Sequence, residues 1–268
     1  MKEEELYWGE EAISKDSFQQ DAYSEIKEFL NLNVLKVYYG RQIEVLFEDK
    51  YFHWITNRVL RQLVNERVIL VESRNLKWGG SVNLYWHKTN RYFKREASKV
   101  VNLIERYSLD KIGSAVGRHG EHLALEGFAK LGFVLLGTDL SELRGRKWQD
   151  SGHNLDMAIE RDGIGYGIEI KNTLSYIPKS EFEAKIEMCH FLGLRPVFVA
   201  RMLPKSWIHF LSNKGGFALI LKHLLYPELL NDLAMEMKNY LGLPVDTPRS
   251  LYEGTMKRFE KWHLKNVN

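Results

Sequence analysis

Asp162-Gly163 stands between two runs that alternate apolar with polar or small residues: Leu155-Asp156-Met157-Ala158-Ile159-Glu160 before it and Gly165-Tyr166-Gly167-Ile168-Glu169-Ile170-Lys171 after it. A two-residue hairpin turn needs positive φ at its centre, which Asp tolerates and Gly adopts freely, so the pair predicts a β-hairpin. If Arg161 pairs with Ile164, the register runs 160 to 165, 158 to 167 and 156 to 169. Asp156 then faces Glu169 across the two strands, on one side of the sheet, with Cβ atoms about 5 Å apart. The strand period of two puts Leu155, Met157, Ile159, Ile168 and Ile170 on the opposite, core-facing side. Ala158, Gly165 and Gly167 share the carboxylate face and are expected to leave a cleared floor above the backbone. Two like charges over such a floor fit a hard divalent cation with oxygen ligands. Lys171 projects from the same face. The bland alternative is an edge hairpin with a solvated polar side.

The preceding segment, Gly120 to Phe133, reads as a helix in which Ala124, Leu125 and Phe128 lie three, four and seven residues beyond Glu121. That spacing places Glu121 on the buried stripe, where a carboxylate is costly unless paired or metal-bound. Glu126 reads as an ordinary surface residue. Phe133-Val134-Leu135-Leu136, Arg195 to Ala200 and Gly216 to Leu221 read as further strands, and Phe182 to Leu192 as a helix ended by Gly193. Strands alternating with helices predict an α/β layer arrangement.

Glu121, then Leu155-Asp156, then Glu169-Ile170-Lys171, in the order helix, strand, hairpin strand, resembles the PD-(D/E)XK nuclease superfamily, most closely its archaeal Holliday-junction resolvase and Mrr-like branches. The resemblance covers roughly residues 113 to 223, and Leu155 stands where the family often has proline. It implies a restriction-endonuclease-like mixed sheet flanked by helices and a Mg²⁺-dependent DNA endonuclease, with Mn²⁺ as a substitute. It also implies that Asp156, Glu169 and the Ile170 carbonyl bind the ion, with Glu121 as a further direct or water-mediated ligand. Lys171 would orient or deprotonate the attacking water, or stabilise charge on phosphorus; the sequence leaves these roles open. A structural ion pair is the competing reading of Lys171. His119, His122 and His153 lie near these motifs, but their spacing matches no zinc signature. The segment Asp139 to His153 carries Arg144, Arg146, Lys147, Trp148 and Gln149, which suit either a substrate grip or a solvated loop.

A second signal lies upstream. Residues 50 to 99 hold eleven Lys or Arg against three acids, whereas the whole chain carries a formal charge of only +3 and residues 1 to 30 hold three bases and nine acids. Such asymmetry predicts a localised polyanion site. Asp49 to Glu66 reads as a helix with Ile55, Val59 and Leu63 inward and Asn57, Arg58, Arg61, Gln62 and Asn65 outward, residue types that contact phosphates and base edges. The strands Val68 to Val71 and Val82 to Trp86 follow, joined by a turn-rich stretch with Arg74, Lys77 and Trp78 at its tip. Helix plus basic hairpin resembles a winged-helix domain; a helical surface that merely packs is the alternative. Asn90 to Tyr107 reads as an amphipathic connecting helix and Leu109 to Gly117 as the joint. Pro227 to Leu241 and Pro248 to Leu264 read as two more helices.

The expected organisation is therefore an acidic arm (1–34), a smaller winged-helix-like α+β region (35–110) and a nuclease-like α/β domain (111–268). With 44% hydrophobic residues the chain can build real cores. The single cysteine, Cys189, excludes an intramolecular disulfide. The acidic start, with no apolar h-region and no long apolar run, predicts a cytoplasmic protein with no membrane partner. DNA is the expected partner. A junction-resolvase-like enzyme would act as a homodimer on branched DNA, and a restriction-like one would use the N-terminal region to select its site. A DNA-binding regulator on a nuclease-like scaffold is the non-enzymatic alternative.

Overall fold

The computed structural model describes residues 15–267; the first part of the expected acidic arm lies outside them. The chain divides between Leu109 and Asp110 into two compact units, Asn239–Leu243 belonging to the first.

The first unit runs α1 (Lys15–Leu32), β1 (Val37–Tyr39), α2 (Gly40–Phe47), α3 (His53–Asn65), β2 (Ile69–Asn75), β3 (Ser81–His87) and α4 (Phe93–Tyr107). Its antiparallel sheet has the order β1-β3-β2. Ala22, Ile26 and Leu30, four residues apart on α1, enter one core with Val59, Leu60 and Leu63 of α3 and with Ile69 and Tyr85 of the sheet. The stretch read from charge as part of an arm is thus a core helix from Lys15 onward, because its apolar positions keep helical spacing beneath the acidic face. The connecting helix starts at Phe93 rather than Asn90, since the Asn90 side chain accepts the Tyr92 N–H at 3.0 Å and forms a turn ahead of it.

In the second unit α5 (Asp110–Lys130) precedes β4 (Val134–Leu140), a small hairpin of β5 (Glu142–Leu143) and β6 (Arg146–Lys147), β7 (Leu155–Arg161) and β8 (Ile164–Lys171). Next come α6 (Lys179–Phe191), β9 (Arg195–Ala200), α7 (Lys205–Asn213) and β10 (Phe217–Ile220). The five-stranded mixed sheet has the order β10-β9-β8-β7-β4. Here β7 is antiparallel to both β4 and β8, while β9 and β10 run parallel to β8. A mixed α/β sheet flanked by helices, as expected from the sequence, is therefore present. Beyond it, β11 (Leu224–Leu225) pairs with β12 (Val245–Asp246) on either side of the short α8 (Asn231–Glu236), and α9 (Glu253–Val267) closes the chain. The helix expected over Pro227 to Leu241 is broken into a 3-10 turn, α8 and a π-helical turn.

The division falls at the first residue of the joint expected over Leu109 to Gly117, while α5 runs unbroken through Gly113 and Gly117. Helical glycines cost only about 1 kcal/mol each, and the rest of this long helix outweighs them. Among the described residues no helix is long and apolar enough to cross a membrane.

Candidate active site

The hairpin forms in the register read from the sequence: Arg161 pairs with Ile164, Glu160 with Gly165, Ala158 with Gly167 and Met157 with Ile168. Asp162 and Gly163 both take positive φ, 54° and 74°. Pairing stops at Met157 and Ile168. One register step further Asp156 lies opposite Glu169, and the next β8 amide directed toward β7, that of Ile170, donates to Asp156 Oδ2 at 2.5 Å. Within a strand a residue's carbonyl leaves on the same side as its N–H, so the Ile170 carbonyl also faces the β7 side.

The floor beneath the carboxylates is not open. A Cβ on Gly167 would stand 2.5 Å from Cys189 Sγ and 2.8 Å from Leu155 Cδ1, and one on Gly165 would stand 2.7 Å from Leu194 Cδ2. The small residues make room for α6, whose Met188 and Cys189 pack with Leu155, Ala158, Leu192 and Leu194 in a core of their own. Leu155 thus leaves the apolar set formed by Met157, Ile159, Ile168 and Ile170 on the other face. Alternation reports which side a residue takes, not what covers that side.

By closing over the strand, α6 brings in two residues that the hairpin signal did not contain. Lys185 Nζ stands 2.5 Å from Glu169 Oε2 and also donates to the Asn154 carbonyl. Lys171 Nζ bridges Glu169 Oε1 at 2.9 Å and Glu181 Oε1 at 2.8 Å. Glu169 is 2% exposed and Lys185 4%, so this pair has left water, a state that is costly unless both charges are closely matched. The i,i+4 spacing of Glu181 and Lys185 was the available signal, since it sets both on one helix face. Each Glu169 oxygen thus faces an ammonium group, Oε1 that of Lys171 and Oε2 that of Lys185.

Burial, then the neighbouring Glu169 charge, pushes the Asp156 carboxyl up to about 6, against the Ile170 N–H and the two lysines, which act to lower it. Burial alone would lower Lys171, but the Glu169 and Glu181 carboxylates more than offset it and hold the ammonium above its ordinary range. Asp156, Glu169 and Glu181 against Lys171 and Lys185 leave the cluster one negative charge in excess.

Glu121 does not join the cluster. It is exposed, and among the described residues no three His, Cys, Asp or Glu side chains stand close enough together to hold a metal ion by themselves. The buried line of α5 is Val116, Gly120, Leu123, Ala124, Gly127 and Phe128. Hydropathy overlooked the two glycines, which make the closest approaches: a Cβ on Gly120 would stand 2.8 Å from Asn172 Cβ, and one on Gly127 3.1 Å from Met256 Cε. That line displaces Glu121 toward solvent. Buried Asn172, the residue after Lys171, fastens the end of β8 by donating to the Val116 and Leu225 carbonyls and accepting from the Leu225 amide.

The histidines are separate from the cluster. His122 is exposed and His153 partly so, while burial holds the His119 imidazole below its usual pKa. In the segment read as a substrate grip, Arg144 is paired with Glu160 and Arg146 donates to the Phe191 carbonyl. Lys147 is exposed. Trp148 is buried, edge-on to Phe191, and donates to Ser151, so its ring belongs to the core.

In the first unit, Arg58 and Arg61 stand exposed on α3. Arg58 lies over the Trp54 ring and donates to Gln19, and Arg61 donates to the Asn57 carbonyl. Asn57 donates to Glu44 and Gln62 to Glu66, which ties these two amides down. Along the β2-β3 hairpin Arg74 pairs with Glu72, and Lys77 binds Glu105 of α4 through both its ammonium and its amide. Trp78 remains 66% exposed. No family model, curated protein or solved structure matches the chain.

Proposed function

We propose that the protein is a divalent-metal-dependent DNA endonuclease, with its reaction centre at Asp156, Glu169 and Lys171 and a winged-helix-like DNA reader in its first unit. One observation carries this reading. Asp156 and Glu169 face each other at the point where strand pairing ends, and Asp156 is lifted to about 6 by burial and the Glu169 charge even though Lys171 and Lys185 flank Glu169. A carboxyl whose ionised form is disfavoured in this way gains from a divalent cation placed between the two carboxylates.

The donor set fits a Mg²⁺ ion, which takes one or two carboxylates and keeps several waters. Asp156, Glu169 and the Ile170 carbonyl would hold it, without Glu121. When bound, the ion supplies a nucleophile at neutral pH and stabilises charge on the transferred phosphorus. Lys171, held as an ammonium by two carboxylates, serves as a donor toward developing negative charge rather than as a base. Lys185 fixes the orientation of Glu169 from beneath. Glu181 positions Lys171 from the solvent side.

The order of the first unit, helix, strand, two helices and a β-hairpin, supports the reader assignment, as do the exposed arginines on α3. The competing reading is a DNA-binding scaffold in which the cluster only holds α6 to the sheet. It is favoured by the two ammonium groups that already flank Glu169.

Incubation with Mg²⁺ and a panel of linear, single-stranded, flapped and four-way DNA separates the two. Cleavage of any member that Glu169→Gln abolishes supports the enzyme. Binding without cleavage across the panel, in Mg²⁺ and in Mn²⁺, leaves the scaffold. The member cleaved also distinguishes junction-resolving from restriction-like action.

A further inference from the structure

A pocket of about 600 Å³ lies at the head of α4 in the first unit, formed by Leu35, Lys36, Asn90 to Tyr92 and Lys94 to Glu96. Four of its residues, Lys36, Arg91, Lys94 and Arg95, are exposed cations, and none of them makes a salt bridge among the described residues. The one acid, Glu96, is taken up by Lys99 at 3.0 Å and by the Tyr240 hydroxyl at 2.6 Å. The N-terminus of α4 has no side-chain cap on its first amides, and Glu96 is the acid of its first turn.

A second, independent observation points to a ligand. Asn90 lines the pocket, is 3% exposed and has a side-chain Nδ2 without an acceptor. Its Oδ1 is committed to the Tyr92 amide, which fixes the amide group's orientation. A buried donor left unpaired is destabilising, and an anionic oxygen that reached it would relieve this.

The margin of the pocket identifies the kind of anion. Tyr92 is 79% exposed and Leu35 69%, an open apolar rim that cannot bury most of a free nucleotide, as small-molecule sites do. An exposed aromatic ring beside unpaired cations is the arrangement that holds single-stranded nucleic acid, with bases stacking on the ring and phosphates tracking the charge. We propose that this pocket binds an unpaired nucleotide of a DNA strand, its phosphate at the head of α4 among Lys36, Arg91, Lys94 and Arg95, and its base against Tyr92. The inference rests on the DNA-binding reading of the first unit and is independent of the metal site. It gives the protein a means of preferring DNA with a frayed, flapped or branched element over continuous duplex.

The test is fluorescence anisotropy in EDTA with a short labelled oligothymidylate and a blunt duplex, using the full chain. Lys94→Ala/Arg95→Ala should weaken single-strand binding about tenfold and lower its logarithmic salt slope by about 1.4, since each single-strand phosphate contact carries about 0.7. Tyr92→Ala should weaken it by a similar factor, and Tyr92→Phe should restore wild-type affinity because the stacking face remains. Unchanged affinity and slope in both the charge and the ring variants overturns the pocket. If Arg58→Ala/Arg61→Ala then still reduces duplex affinity, the reader assignment stands without it, whereas a wild-type protein that binds neither DNA loses both. Competition by thymidine monophosphate or inorganic phosphate at concentrations that leave the strand unbound would reassign the pocket to a free anion and overturn the strand proposal.

Discussion

Replacing Asp156 with Asn should stabilise the protein in the absence of metal. The carboxyl has an ordinary value of 3.8 and is lifted to about 6 in the folded chain, so the folded state binds that proton more tightly than the unfolded one. Stability from this group is therefore fully present below about 3.8 and is lost as pH rises through about 6. Two pH units correspond to about 3 kcal/mol of cost to the ionised form. Asn removes the charge and keeps an oxygen able to accept the Ile170 N–H, and the rise to about 6 is already net of attraction to Lys171 and Lys185. A gain of about 3 kcal/mol at pH 8 follows, or about 6 to 12 °C in Tm for a unit of this size. At pH 5 the gain should fall to about half, because the wild-type carboxyl is then mostly protonated in the fold. Thermal melts in EDTA at pH 5 and pH 8 measure this directly. Millimolar Mg²⁺ should raise the wild-type melting temperature and leave Asp156→Asn unmoved, since a ligand stabilises only the state that binds it. A variant less stable than wild type at pH 8 in EDTA, or a gain equal at both pH values, would refute the reasoning.

The same packing gives three further expectations. Lys185→Ala leaves Glu169 buried with one of its two ammonium partners gone and should cost about 3 to 5 kcal/mol by urea unfolding; a loss below about 1 kcal/mol would mean that Glu169 is already solvated. Gly167→Ala should cost about 1 to 3 kcal/mol because its methyl meets Cys189 Sγ at 2.5 Å, and Cys189→Ala should restore much of that loss in the double variant, an additive outcome counting against the contact. Arg58→Ala/Arg61→Ala should lower the salt slope of duplex binding by about 0.9 for each phosphate contact removed, and an unaltered slope would make α3 a packing surface.

Local chemistry was legible in the sequence wherever a short-range rule was decisive. The Asp162-Gly163 turn set the hairpin register, and a period of two then placed Asp156 against Glu169 before any tertiary contact was known. Strand β9 appeared with the bounds expected of it, because a short apolar run closed by turn residues leaves few alternatives. The charge excess of residues 50 to 99 marked exposed arginines on α3 for the same reason: desolvating a guanidinium without a partner is too costly to hide it.

Tertiary structure alone decided what each face meets. Small residues at Gly165 and Gly167 read equally well as a cation's floor and as a seat for a helix, and only the position of α6 made them the seat. The same helix supplied Lys185 and Glu181, which no local pattern tied to a hairpin ahead of them in the chain. Glu121 was misplaced because hydropathy gives glycine no weight, while close packing runs α5 along Gly120 and Gly127. Periodicity assigns a residue to a side of its own element; which neighbour covers that side depends on packing between elements distant in sequence, and that packing added Lys185 and Glu181 to the carboxylates and lysine of the hairpin.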